Sequence, residues 1–304
     1  MAACVAAGGL LVAACAAAPR SPTVRLTGAE IAALTSSGGS AVAAAEVNNA
    51  FELLVQRCMR ANGLVYYPLI LTAAQELNGI GLAGVPQAPI GLAAREADGY
   101  GFYSRTVQAA ANPGQAGPSR EQEYANSAPH SYLLALLGPE NQQISWTLPG
   151  GDSGTSLAGG CRGAAERRVY GSIASRVLAT TGLSDLTSQL QDAVSTDPAS
   201  IAVIARWSAC MSRRGYEYST PEDLWNRLAG RIISGPRPAL RNLEIETSVA
   251  DYRCAAAVRL VATIRALEES HARYMSEALA GELARITQIL ARALKVAKAL
   301  HVTG

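Results

Sequence analysis

Aromatic side chains are scarce in this sequence, with two phenylalanines and three tryptophans in 304 residues, so a core must be assembled mainly from aliphatic groups. Lysine is almost missing and stands only at Lys295 and Lys298, and no long basic run occurs. A formal net charge of +2 without a basic stripe lacks the electrostatic footprint of nucleic-acid binding, and nucleic acid is not an expected partner. No Cys-x-x-Cys pair, His-Glu-x-x-His element or glycine-rich phosphate loop ending in lysine is found. A zinc ribbon, a thioredoxin-like centre, a zincin site and a nucleotide cradle therefore lose their usual signals, and neither metal nor cofactor is expected.

What the sequence does have is alanine. A hydrophobic share of 49% against 16% charged residues lies in the globular range, and an alanine-rich, aromatic-poor chain packs as helices. The expected fold class is all-α. The chain is long enough to bury a core without metals or crosslinks.

Residues 2 to 18 carry no charge and end at Pro19-Arg20, which suits the apolar region of an export signal. Within it Leu11-Val12-Ala13-Ala14-Cys15 has the form of a bacterial lipobox: a branched apolar residue, two small residues, then a thiol. Small side chains let a peptidase approach the backbone, and the thiol accepts the thioether lipid. Cys15 is the candidate lipidation site. Three alternatives stay open: a single membrane-spanning helix near the lower length limit, a cut at Ala16 to Ala18, which Pro19 disfavours, and an ordinary buried segment. No positive residue precedes the apolar stretch, although a secretory signal ordinarily carries one. Residues 19–44, rich in Ala, Ser, Gly and Thr, are expected to be a flexible tether, and 45–304 the helical domain.

Of six cysteines, Cys4 and Cys15 fall in the export segment. Cys58, Cys161, Cys210 and Cys254 remain, an even number that suits an oxidising compartment. The competing reading is four reduced thiols in a cytosolic protein. A motif recurs around two of the four: Cys58-Met59, Gly63, Tyr66 and Pro68 are matched by Cys210-Met211, Gly215, Tyr218 and Pro221, with only the proline displaced. Each copy closes an apolar helical pattern, Val47, Phe51, Leu54 and Cys58 in the first and Ile201, Ile204, Trp207 and Met211 in the second. Each glycine falls where a helix ends left-handed. Four cysteines allow three pairings, and the sequence alone does not choose among them. Duplication favours Cys58 with Cys161 and Cys210 with Cys254, each bond stapling its own helix pair. The first unit is then 45–180, with an irregular insertion at 68–160, and the second 197–304.

The paired Cys-Met-x-x-x-Gly-x-x-Tyr elements, the Gly-Cys helix ending in Val169-Tyr170-Gly171, and Asp251-Tyr252-Arg253-Cys254 running into Ile264-Arg265-Ala266-Leu267-Glu268 resemble a family of uncharacterised secreted or lipid-anchored actinobacterial proteins. The resemblance covers roughly residues 45 to 300. It implies an extracytoplasmic location and a loose association with envelope transport or the cell wall, and it supplies no activity.

The insertion is rich in Gly, Pro, Asn and Gln, with short helices expected at 72–77, 119–124 and 131–137 and another helical turn from Pro139. Strand character is weak at 66–71. From 239 to 300 no proline occurs, and Ile245, Val249, Tyr252, Ala256, Leu260, Ile264 and Leu267 follow helical spacing. Unbroken, this stretch would reach about 90 Å, either folding back on the body or projecting as a coiled coil toward a partner. Glu268, Glu269 and His271 on it are expected to be solvated.

One catalytic look-alike occurs. Gly151-Asp152-Ser153-Gly154 matches the surroundings of a serine-protease nucleophile, but His130 is the sole upstream histidine and lies close in sequence instead of on a separate barrel half. Thr155 stands where the Gly-x-Ser-x-Gly motif requires glycine. No catalytic residue is assigned. The expectation is a lipid-anchored extracytoplasmic binding module; the alternatives are an adaptor of an envelope transporter working through the C-terminal helix, and a hydrolase using Ser153. Radiolabelled palmitate should enter the wild-type protein and not Cys15→Ala, and equal incorporation would reject the lipobox.

Overall fold

The computed structural model describes residues 23–35, 38–71, 91–111, 120–148 and 151–301. Cys15, Cys4, the export segment and the helix expected at 72–77 lie outside the described residues. The described chain is mainly helical, so the fold is all-α, with two short antiparallel sheets.

Local chemistry starts several helices where the sequence places their signals. Thr27 and Glu30 form a capping box at α1 (Gly28–Leu34). Further along, Asp197 caps α10 (Pro198–Ser212) and Thr220 caps α11 (Pro221–Ile233), each followed by proline at the first helical position. The remaining helices are α2 (Gly38–Ala61), α3 (Leu92–Asp98), α4 (Phe102–Ala111), α5 (Arg120–Ser127), α6 (His130–Leu137), α7 (Gly160–Tyr170), α8 (Ile173–Val177), α9 (Leu183–Ser195), α12 (Pro238–Ala257), α13 (Leu260–Ala272) and α14 (Glu277–His301). Strands β1 (Thr23–Arg25) and β4 (Tyr274–Ser276) pair with each other, and β2 (Gln143–Thr147) pairs with β3 (Ser153–Leu157).

Two apolar cores result. The first gathers Val47, Phe51, Val55, Met59, Tyr132 and Val169 from α2, α6 and α7. The second gathers Leu186, Trp207, Met211, Leu228, Leu260 and Ile264 from α9 to α13. The terminal helix α14 enters both, with Leu283 and Ile286 in the second core and Ala293 and Ala297 in the first. It is a shared core helix and not a projecting coiled coil.

Disulfides join Cys58 to Cys161 and Cys210 to Cys254, with sequence separations of 103 and 44. In the loop-closure account each contributes about 4 to 5 kcal/mol before native strain is subtracted. The two lobes share their local geometry. Gly63 and Gly215 both have positive φ and both close a Schellman turn: Gly63 N–H donates to Arg60 and Leu64 N–H to Met59, while Gly215 N–H donates to Ser212 and Tyr216 N–H to Met211. In each lobe a side chain two residues before the cysteine reaches the carbonyl of the motif tyrosine ten residues on, Gln56 to Tyr66 and Ser208 to Tyr218.

Several expectations are corrected. The stretch from 239 to 300 is three helices. Arg259 breaks the first from the second in the left-handed region at φ 57, because a straight helix would put Leu260 about 120° round from Cys254 and both are fully buried. The β4 strand breaks the second from the third. The buried face of α12 is not Ile245, Val249, Tyr252 and Ala256 but Glu244, Thr247, Ser248, Asp251 and Cys254, and Ile201 on α10 is exposed. Glu268 is buried, whereas Glu269 and His271 are exposed as expected, His271 bonding Asp197 at 2.9 Å at the surface. The segment read as a tether is structured from Thr23: β1 pairs with β4, and Leu34 is buried in the second core.

The insertion also differs from its reading. No strand forms at 66–71 and Pro139 opens a turn, while 143–157 makes a hairpin. It is divided between the lobes, α6 packing on α7 while α3 and α4 pack on α12 and α11. Buried polar groups hold this second part. Asp251 accepts from Arg95 at 2.8 Å, Tyr100 at 2.7 Å and Trp207 at 2.9 Å, and Glu244 accepts three backbone N–H groups, from Tyr100, Phe102 and Tyr103. Phe102 and Tyr100 then stack edge-on against Trp225.

Removing Asp251 leaves the Arg95 guanidinium buried without its counter-ion. Asp251→Ala should lower stability in urea unfolding by about 3 to 5 kcal/mol, whereas Glu96→Ala, at a half-exposed ion pair with Arg253, should cost under about 1 kcal/mol. Similar losses for the two variants would contradict the hub role.

Candidate functional site

Where the two lobes meet, the chain departs from regular geometry. Helix α7 ends at Gly171, whose φ of 90° suits glycine, and Ser172 caps α8 by accepting from Ser175 N–H at 3.0 Å. Helix α8 then passes through a π-helical turn, Leu178–Gly182, into α9. Such turns hold one extra residue and recur at functional sites. The last residue of this one, Gly182, lies against α14: a Cβ on Gly182 would lie 3.2 Å from Glu282 Oε1 and 3.1 Å from Leu178 Cδ1.

Between these elements and α14 runs an open groove of about 530 Å³, lined by Tyr170, Gly171, Ser172, Ser175 and Leu178 on one side and Arg285, Gln288, Ile289 and Arg292 on the other. A second concavity beside Leu54 and Leu300 has only about 10 Å³, room for no more than a water. The larger groove falls within the usual size of ligand sites.

Its polar lining consists mostly of donors. The Arg292 guanidinium lies on Gly171, 3.0 Å from where a Cβ would be. Arg285 spends its Nε–H on the Gly281 carbonyl at 3.3 Å, which leaves the terminal fork for other acceptors. Ser175 Oγ accepts from Ser172 Oγ at 2.8 Å, so its own hydrogen points elsewhere. Burial raises the Tyr170 phenol pKa, with Arg176 opposing and Glu166 adding to the effect, so the phenol stays protonated. Beneath, Glu166 pairs with Arg176 at 3.1 Å; burial raises its carboxyl pKa against the lowering pull of Arg176 and Arg162.

The residues singled out in the sequence lie elsewhere. The Cys58–Cys161 bond holds the opposite end of α7, about 13 Å along the helix from Tyr170, and Cys210–Cys254 lies within the second lobe. Ser153 opens β3 with its side chain exposed and pairs across the hairpin with Thr147. None of the hydrogen bonds of the described residues joins it to His130, and His271 is engaged with Asp197. Among the described residues no group of three or more His, Cys, Asp or Glu side chains is placed to hold a metal, and no helix is long and apolar enough to cross a membrane. The groove residues carried a faint sequence signal: after Glu282 no acidic residue follows, while Arg285, Arg292, Lys295 and Lys298 accumulate on α14.

No family model, curated protein or solved structure matches this chain.

Glu282 gives the junction between the lobes a measurable property. It is only 3% exposed, and burial raises its carboxyl pKa, with Arg285 lowering it and Asp185 raising it. The folded state thus holds this proton more tightly than the unfolded chain, and stability falls as pH rises through the two pKa values. Glu282→Gln should melt a few degrees above wild type at pH 7, with the gap closing below the ordinary carboxylate range, about pH 3.5. A variant less stable at pH 7 would contradict the burial cost.

Proposed function

We propose that the protein is an extracytoplasmic binding module, tethered to the membrane through lipid on Cys15, and that the groove between α8 and α14 is its binding face. The observation that carries this reading is the donor-rich groove, set at the junction of two lobes that are each closed by a disulfide. Disulfides persist in oxidising compartments, which favours the outer side of the cytoplasmic membrane. A junction between two packed lobes is a common place for a ligand site, and the π-turn and the buried Glu282 put the fold's irregularities there.

The adaptor reading would have to use the polar face of α14, since the apolar face is occupied by both cores. A hydrolase at Ser153 finds no support in its exposed position on a hairpin.

Protease added to intact spheroplasts should digest the protein while a cytoplasmic marker survives; equal survival would place the chain inside and overturn the location. A serine-reactive fluorophosphonate should leave the purified protein unlabelled. Labelling that Ser153→Ala abolishes would move the function to hydrolysis.

A further inference from the structure

The groove lining contains two arginines and no carboxylate. Arg285 and Arg292 are seven residues apart on one face of α14, hence about 10 Å apart along the helix axis. Gln288 lies between them and Ser172 and Ser175 face them, while Leu178, Ile289 and the ring of Tyr170 supply an apolar floor. Both arginines are exposed, and the guanidinium fork fits carboxylate or phosphate oxygens in pairs. Lys295 and Lys298, also exposed, add positive charge toward the end of α14, which draws anions to this part of the molecule.

We infer that the groove binds a single-chain anionic amphiphile, its phosphate or carboxylate held by Arg285 or Arg292 with the Ser175 hydroxyl, and its apolar part laid along Leu178 and Ile289. A bare anion would leave the floor uncovered, and a neutral apolar molecule would desolvate the guanidinium groups without compensation. This inference rests on the reading of the protein as a binding module, and it names the ligand class for the same groove. It does not depend on compartment or lipidation.

The test is calorimetric titration of the purified, oxidised protein with monododecyl phosphate below its micelle concentration. Inorganic phosphate, dodecyltrimethylammonium and phosphatidylglycerol vesicles serve as the other arms. Monododecyl phosphate should bind saturably at one site, inorganic phosphate at least a hundredfold more weakly, and the cationic amphiphile not at all. At least one of Arg285→Gln and Arg292→Gln should weaken binding about tenfold or more, the loss expected for a charge-assisted hydrogen bond. Arg213→Gln, an exposed charge on the second lobe, should leave binding unchanged. Unaltered melting temperatures would show that the variants fold.

Three results would overturn the proposal: no saturable binding of monododecyl phosphate, equal affinity for the cationic amphiphile, or undiminished affinity in the Arg285→Gln/Arg292→Gln double variant. Binding to phosphatidylglycerol vesicles alone, lost at high salt, would also overturn it and assign the positive face to a membrane surface. A failure here together with digestion in spheroplasts would remove the ligand class and leave the location standing.

Discussion

The constraint on which the structure depends is the burial of one helix in two cores. Helix α14 presents Leu283 and Ile286 to the second lobe and Ala293 and Ala297 to the first, so neither lobe completes its interior without it. The change from large to small side chains along the helix has a physical reason. Alanine lets α14 approach α2 and α7 closely where the first core already holds Phe51, Met59 and Tyr132, and leucine and isoleucine fill the wider space beside α9. With so few aromatic residues, a single shared helix recovers apolar burial that two separate small cores would lack. The disulfides complement it. Each closes a helix pair within one lobe, and α14 supplies the noncovalent tie between lobes.

Buried and half-buried carboxylates do a second job that apolar contact cannot. Each lobe must fix irregular chain against a helix, and irregular chain brings backbone N–H groups that need acceptors. In the first lobe Glu52 accepts from Tyr66 Oη and Leu69 N–H, and Glu121 from Tyr67 N–H and Tyr132 Oη. In the second, Glu244 and Asp251 do the same for Arg95 to Tyr103. A buried charge is weak evidence of added stability. Its directional bonds nonetheless fix one register for segments that have no strand or long helix of their own.

That arrangement explains what was legible in the sequence. Helix starts at Asp197-Pro198 and Thr220-Pro221 and the glycine stops at Gly63 and Gly215 depend on neighbouring residues, and they are readable because local geometry decides them. The Arg259 break is not, since no glycine or proline marks it and its cause is the distant demand that Cys254 and Leu260 both face inward. The polar face of α12 misleads for the same reason. Glu244 and Asp251 look like solvent residues until their partners on α3, α4 and the turn between them, 141 to 156 positions away, are known. The candidate groove was the least legible part, because it draws on α7, α8, the π-turn and α14, and its only linear trace was the loss of acidic residues after Glu282.

The junction between the lobes is where the chain keeps features that regular packing would remove: a π-turn inside a helix, a left-handed glycine under a guanidinium, and a carboxyl whose charged form is costly to bury. A sequence shaped for stability alone would favour an unbroken α8 to α9 helix and an apolar residue at position 282. The two features adjoin, since a Cβ on Gly182 at the end of the π-turn would lie 3.2 Å from Glu282 Oε1. Departures from local rules gathered at one place direct attention to that place, and here they border the proposed groove, whose lining includes Gly171 and Leu178.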